Sequence, residues 1–140
     1  MSQENMDLMR EIYEVIETGD VGRADELLAE DLIEHEDPSP GASTGREGFK
    51  DFVQRMHGAF PDLRCRIEDM TADGDKVWAR AVLSGAHEGE FMGIEPTGNR
   101  VEFEVIDIAR FENGRGVEHW GVSDALSLMQ QIGAIPGDQS

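Results

Sequence analysis

The sequence has little positive charge, one cysteine and no long apolar run. Lys and Arg total 12 against 30 Asp and Glu, which gives a formal charge of −18. Nucleic acids and anionic membranes are bound by clustered basic side chains, so neither partner is expected. No segment is apolar over the length of a bilayer, and Met1–Asn5 lacks the features of a secretory signal. The lone Cys65 permits no internal disulfide, which favours a reducing, cytoplasmic location.

The apolar periodicity predicts helices first and strands afterwards. The chain is long enough for one core, so residues 1–140 are interpreted as a single domain. The predicted helices are 4–18, 23–29 (with Asp20 as N-cap), 45–59 and 124–132, and the predicted extended segments are Leu32–His35, the alternating run from Leu63, Lys76–Ala86, Val101–Phe111 and Val117–Asp124. This order predicts an α+β fold, in which a curved antiparallel sheet wraps around the N-terminal helices and encloses a hydrophobic pocket.

A formal match to a serine-hydrolase motif occurs at Gly41–Gly45. The G-x-S-x-G elbow requires a strand directly before it, but Pro38 and Pro40 occupy that place here. Thr44 and Glu47 instead have the spacing of a helix capping box. A serine hydrolase is therefore not expected.

A carboxylate lies in the apolar row of the fourth predicted segment. Asp107 alternates in register with apolar residues at positions 101, 103, 105, 109 and 111. A buried carboxylate must be hydrogen-bonded, paired or protonated. A two-residue Asn113-Gly114 turn would place Trp120 opposite Asp107, whereas a three-residue turn with a left-handed Gly114 would place His119 there. We predict the second register, because the inward rows of the two strands then coincide.

Several phrases of the sequence resemble a known family. They are Ala59-Phe60-Pro61-Asp62-Leu63, Gly85-Ala86-His87-Glu88-Gly89 with Pro96-Thr97-Gly98, Phe111-Glu112-Asn113-Gly114-Arg115 with Glu118-His119-Trp120, and Gln130-Gln131-Ile132-Gly133. Together they resemble the SnoaL-like polyketide cyclases of the NTF2-like superfamily over nearly the whole chain. The resemblance implies a cone-shaped fold, a homodimer through the sheet face, and an intramolecular aldol closure of a polyketide ester with no metal or organic cofactor.

The resemblance also implies site residues. His87 and His119 match histidines of the family. The strand position that carries the family's catalytic aspartate is Gly121, and the partner histidine on the preceding strand is replaced by Asp107. The carboxylate has therefore either moved across the pocket or been lost. We predict Asp107 as the proton-transfer group, with His119 orienting it or polarising a carbonyl group.

Other side chains are predicted to shape a site for a small hydrophobic or aromatic molecule. The candidate substrate-binding residues are Tyr13, His35, Phe60, Trp78, Arg80, His87, Phe91 and Trp120. Core packing is the alternative for the aromatic residues, and a satisfied or exposed histidine is the alternative for His35 and His87. The Gly- and Pro-rich loop His87–Arg100 is either a lid or a segment packed on the core. No metal site is predicted, because Glu34–Asp37 alternates sides of an extended segment and no metal-binding motif occurs.

Three classes of function fit these features. The first is a cofactor-independent cyclase, isomerase or lyase that uses Asp107 and His119 on a carbonyl compound. The second is a hydrolase of epoxide type, in which aspartates and an arginine position a water. Arg80, on the strand that faces Asp107, is the candidate arginine. The third is a non-catalytic domain that binds a small hydrophobic ligand. We favour the first.

Overall fold

A computed structural model describes residues 2–36 and 44–135 of the protein. The helices are α1 (Ser2–Thr18), α2 (Ala24–Leu27, after a 3-10 turn at Val21–Arg23), α3 (Gly45–Ala59) and α4 (Ala125–Gln131), and the strands are β1 (Leu28–Glu34), β2 (Arg64–Asp73), β3 (Lys76–Ala86), β4 (Arg100–Glu112) and β5 (Arg115–Ser123). No helix among the described residues is long and apolar enough to cross a bilayer. Most of the Gly41–Gly45 motif lies outside the described residues.

The five strands form one sheet in the order β1-β5-β4-β3-β2. β2 to β5 pair antiparallel, as predicted, while β1 joins the edge of β5 in parallel. The α+β prediction is confirmed. α1 lies against β2 and β3, α3 against β1, and α4 against β4. Their apolar faces and the odd-numbered residues of β3 and β4 form the core, because alternate side chains of a strand point to the same side.

The helices begin within about two residues of their predicted starts, but the predicted side-chain caps are not formed. α3 begins at Gly45, yet neither Thr44 nor Asp20 makes a side-chain hydrogen bond to the helix that follows it. The expected caps at those two positions are therefore wrong. α4 does have a side-chain cap, because the carboxylate of Asp124 accepts a hydrogen bond from the backbone nitrogen of Ser127 at 3.1 Å.

The β4–β5 hairpin has neither of the two registers considered from the sequence. Asn113 and Gly114 both have positive φ angles, 51° and 78°, as the two central residues of a type I′ turn require. A bulge follows directly: Arg110 pairs with Glu118, and Phe111 pairs with Gly116. Val117 is the extra residue.

The bulge shifts every later pair of the hairpin. Asp107 faces Gly121, and His119 faces Ala109, so the predicted Asp107–His119 register is wrong by two residues. A shift of two residues preserves the face on which each side chain lies. The inward rows of the two strands therefore still coincide, which was the reason for preferring that register.

The loop between β3 and β4 packs on the body of the fold. The backbone nitrogens of Glu88 and Gly89 donate to the carbonyl oxygen of Ala59, the last residue of α3, at 3.0 and 3.1 Å. Phe91 and Ile94 close a small turn through two mutual backbone hydrogen bonds and lie partly buried against the core. This geometry supports the packed interpretation of the loop.

Candidate functional site

Five side chains meet on the inner face of the sheet near its middle. Asp107 comes from β4, His119 from β5, Glu34 from the end of β1, Glu36 from just beyond β1, and Tyr13 from α1. Alternation within each strand explains the convergence. Glu34 pairs with His119 across the β1–β5 ladder. Gly121, the next residue of β5 on the same face as His119, pairs with Asp107. Three carboxylates, one imidazole and one phenol are thus brought together.

Asp107 is held from two sides. The hydroxyl group of Tyr13 donates a hydrogen bond to Oδ2 at 2.5 Å, and Nε2 of His119 donates to Oδ1 at 2.8 Å. The Asp107 side chain is 17% exposed. Burial first, and the charge of Asp107 second, raise the pKa of Tyr13 far above its ordinary value, so this phenol remains a hydrogen-bond donor. Both Asp107 oxygens are therefore occupied, and the carboxylate is fixed in orientation.

His119 is an imidazolium ion at neutral pH. Burial alone would lower the pKa of this histidine, but the hydrogen bonds to Asp107 and Glu34, and the charges of both, outweigh burial and raise its pKa to about 10. Its second nitrogen, Nδ1, donates to Oε2 of Glu34 at 2.5 Å. A cation held between two carboxylates can donate a proton to a substrate oxygen or stabilise negative charge that develops there.

Glu36 is the least engaged carboxylate of the group. Its hydrogen bond within the described residues is a long one, 3.4 Å, from the hydroxyl group of Ser123 to Oε2. Burial raises the pKa of Glu36; His119 opposes this rise, and Asp107 and Glu34 add to it. Oε1 points towards the Cα of Gly121: a Cβ atom built on that glycine would lie 3.1 Å from Oε1.

The same cluster has the spacing of a metal site. Glu34, Glu36 and His119 each offer one ligand-type atom, all within 4.8 Å of one another. Both ring nitrogens of His119 donate to carboxylates, however, and an imidazole that carries both protons has no lone pair for a metal. The arrangement fits an ion-paired imidazolium better than a metal ligand.

Four of the predicted substrate-binding residues lie on the opposite face of the sheet. Trp78 and Trp120 flank Ile108 in one outward row. His35 stacks on Trp120, with ring centroids 4.8 Å apart, and its Nε2 lies 2.6 Å from Oε2 of Glu118. Arg80 is exposed and forms an ion pair with a glutamate of β4, Glu104, at 3.5 Å. The structure does not bring these four side chains together with Asp107.

The position of Arg80 bears directly on the hydrolase alternative. Ala79, not Arg80, faces Asp107 across the β3–β4 ladder. Arg80 lies on the strand next to Asp107, as expected, but its side chain is on the opposite face of the sheet, because neighbouring residues of a strand point to opposite faces. The hydrolase alternative loses its only proposed cation.

Three more of the predicted substrate-binding residues form a separate group at the far end of β3. His87 is fully buried, and its ring lies 5.8 Å from that of Phe60, which in turn lies 5.5 Å from Phe91. Nδ1 accepts a hydrogen bond from the backbone nitrogen of Thr97 at 3.3 Å, and Nε2 has no partner among the described residues. Roughly 20 Å of strand separates this group from Asp107.

Sequence reasoning missed two members of the cluster and misinterpreted a third. Glu34 and Glu36 were considered only as metal ligands, although their two-residue spacing places both carboxylates on one side of β1. Tyr13 was predicted to contribute an aromatic wall, whereas its hydroxyl group binds Asp107. The position of Tyr13 in the buried stripe of an amphipathic helix gave a usable signal, because a buried phenol normally finds a hydrogen-bond partner.

A sheet curved around helices, with ionisable side chains turned inward, defines an α+β protein of the NTF2-like class. TsrD from Streptomyces laurentii has this fold, with a TM-score of 0.86 at 30% identity over 95% of this chain and 97% of its own. The model of the family described as SnoaL-like polyketide cyclase matches residues 6–132, and the chain belongs to this family. The resemblance predicted from the sequence is confirmed.

Two curated relatives carry an activity in their names. The chain is 29% identical to aklanonic acid methyl ester cyclase DauD from Streptomyces sp. (strain C5), over 91% of this chain and 81% of that cyclase. It is 26% identical to nogalonic acid methyl ester cyclase from Streptomyces nogalater, over 83% of this chain and 87% of that cyclase.

Proposed function

We propose that the protein is a cofactor-independent cyclase that closes a ring in a hydrophobic, polyketide-like ester by acid–base catalysis. One observation carries the proposal: His119 is held as a cation between Asp107 and Glu34 on the inner face of the sheet. The cyclase names of two relatives supply the substrate class. An aldol closure requires a proton donor for the carbonyl oxygen that becomes a hydroxyl group, and an imidazolium meets that need.

Asp107 and His119 have distinct parts in this proposal. The substrate carbonyl oxygen takes the place of Glu34 at Nδ1 of His119, which polarises the carbonyl group and finally protonates it. Asp107 accepts one of the two N–H groups of His119 and keeps the ring charged and oriented. This division differs from the expectation that Asp107 itself moves the proton, and it is supported by the two hydrogen bonds that already engage both Asp107 oxygens.

The test uses aklanonic acid methyl ester as substrate and liquid chromatography with mass spectrometry as readout. We expect a product of unchanged mass, since ring closure moves a proton from carbon to oxygen and adds nothing. His119→Gln should lower kcat about 100- to 10,000-fold. Arg80→Ala, a change on the opposite face of the sheet, is the matched control and should retain the wild-type rate.

Two results would contradict the proposal. An acid product that carries label from ¹⁸O-water, with release of methanol, would indicate a hydrolase. Tight binding of the ester with no conversion by the wild-type protein would indicate a binding domain instead of a cyclase.

We further propose that the protein acts in the cytoplasm as a homodimer, joined through the outer face of the sheet. That face carries Ile106 and Val122, which are 45% and 65% exposed, beside the outward tryptophan row. It also carries Lys76 and Arg110, although the chain as a whole has a formal charge of −18.

Light scattering coupled to size exclusion tests the dimer. The wild-type protein should have twice the 15.5 kDa mass of the chain, and a double Ile106→Glu, Val122→Glu variant should have the single mass. Leu126→Glu changes an equally exposed apolar residue on α4 and serves as the control. A monomeric wild-type protein would refute the dimer and leave the cyclase proposal untouched.

A further inference from the structure

The space that a side chain of residue 121 would fill is bordered by a side chain from just beyond β1. A Cβ atom on Gly121 would lie 2.8 Å from Oδ1 of Asp107, 2.8 Å from Cε1 of His119 and 3.1 Å from Oε1 of Glu36. A side chain of residue 121 would thus project into the centre of the cluster. The Glu36 carboxylate, which arrives from the end of β1, lies beside that same space.

The hydrogen bonds of the cluster engage Glu36 less than the other two carboxylates. Asp107 accepts from Tyr13 and His119 through its two different oxygens. Glu34 accepts from His119 and also, at 3.1 Å, from the backbone nitrogen of Glu36. Glu36 itself has only the long hydrogen bond from Ser123 within the described residues. Glu36 thus has the fewest hydrogen bonds of the three carboxylates within the described residues, and its Oε1, which lies beside the space at Gly121, is open to a further proton.

We propose that Glu36 is the catalytic base of this protein: it takes a proton from the carbon next to a substrate carbonyl group, while His119 protonates the oxygen that becomes a hydroxyl group. This inference rests on the proposed cyclase function and adds a residue to it. The Glu36 carboxylate thus lies beside the space that a side chain of residue 121 would fill.

The proton balance closes within the cluster. The Glu36 carboxylate takes the proton, and the electron pair of the C–H bond becomes an enolate. The enolate carbon attacks a second carbonyl carbon, a C–C bond forms, and the electron pair of that C=O bond moves to its oxygen. His119 gives this oxygen a proton. The protonated Glu36 then returns its proton to the neutral His119, and one proton has moved from carbon to oxygen.

The charged neighbours of Glu36 set its pH dependence. His119 from β5 favours the ionised form, while Asp107 from β4 and Glu34 from β1 oppose it, as does burial, which is the largest effect. Their balance raises the pKa of Glu36 above the ordinary glutamate value. Activity should therefore fall on the acid side at a higher pH than a solvent-exposed glutamate would give, because protonation removes the base.

Two reactions are used, so that the test of the base is separate from the test of the proposed substrate. The first is the conversion of aklanonic acid methyl ester. The second is the ring opening of 5-nitrobenzisoxazole, in which a base removes the ring C–H proton, a nitrile forms, the N–O bond breaks and a yellow cyanonitrophenolate leaves. The second reaction needs a carboxylate in a partly dry site but no polyketide. The variants are Glu36→Gln, the neighbouring Glu34→Gln and the exposed loop control Glu90→Gln.

We expect Glu36→Gln to slow both reactions about 100-fold or more and to abolish the acid limb of the pH profile of kcat/KM. Glu34→Gln should keep the acid limb and move the basic limb to lower pH, because it removes a partner of His119. Glu90→Gln should match the wild-type protein. Thermal unfolding of each variant, together with Glu36→Asp, which retains a carboxylate, separates loss of the base from loss of the fold.

The outcomes distinguish the two proposals. Benzisoxazole opening that depends on Glu36, without ester conversion, would support the base and refute the proposed substrate. Ester conversion at an equal rate by the wild-type protein and Glu36→Gln would support the cyclase and overturn the base. A wild-type protein that performs neither reaction would overturn both.

Discussion

The ion pairing of His119 should be measurable as stability that disappears at high pH. The pKa of this histidine rises from 6.5 to about 10 in the folded protein. A group whose folded pKa is raised contributes its full stability below the unfolded pKa and loses it as pH rises through the folded pKa. The stabilisation is therefore complete below pH 6.5 and is lost between pH 6.5 and about 10.

The size of this loss follows from the change in pKa. Each pKa unit corresponds to about 1.4 kcal/mol, so the shift from 6.5 to about 10 sets an upper value of about 5 kcal/mol. Tyr13 and Cys65 also have raised pKa values and lose stability in the same direction, so the wild-type curve alone is not specific. The His119→Gln variant removes only the histidine contribution.

The assay is urea unfolding followed by tryptophan fluorescence, at constant ionic strength, for the wild-type protein and His119→Gln. We expect the wild-type free energy of unfolding to fall by about 2 to 5 kcal/mol more than that of the variant between pH 6.5 and pH 10. Nuclear magnetic resonance of the imidazole should show the titration directly. Parallel stability curves, or a His119 that titrates near 6.5, would refute the ion-pairing argument.

Three further changes test the surroundings of the cluster. Tyr13→Phe removes a donor to Asp107 and should cost about 1 to 3 kcal/mol in the free energy of unfolding, measured by urea unfolding; an unchanged value would contradict the short hydrogen bond. Gly121→Ala inserts a methyl group 2.8 Å from an Asp107 oxygen and should lower the melting temperature, whereas Gly58→Ala, with open space around its Cβ, should not. Burial raises the pKa of Cys65 to about 12, so a thiol-specific disulfide reagent should react slowly at pH 8 until urea unfolds the protein.

The sequence predicted the elements well because their periodicity is strong. α3 and β3 have the predicted bounds, Gly45–Ala59 and Lys76–Ala86, since apolar steps of three and four, or of two, run through them without interruption. The short helix near Arg23 is the weakest of the helix predictions, because few apolar residues define it. In the structure this region is divided into a 3-10 turn, the single helical turn α2 and the start of β1.

The site was predicted only in part because it depends on docking between distant segments. Asp107 was recognisable as a carboxylate in an apolar row, and its partner His119 was identified correctly. Their register was wrong because a bulge at Val117 has no simple sequence signal beside the turn residues. Glu34 reaches His119 only because β1 joins β5 in parallel, and no local pattern in residues 28–36 predicts that pairing.

Val117, the extra residue in β5, decides whether His119 or Trp120 points to the interior of the fold. With a two-residue turn and an unbroken ladder, Trp120 would lie opposite Asp107, and the imidazole would be turned towards the exterior. The unpaired Val117 shifts the strand by one position and turns the imidazole inward. Deleting either Val117 or Glu118 would therefore give an unbroken ladder, in which the residue that remains faces Arg110 and the imidazole stays opposite Ala109. The chemistry of this protein thus tolerates the loss of one residue at this point of the hairpin, because the bulge absorbs it.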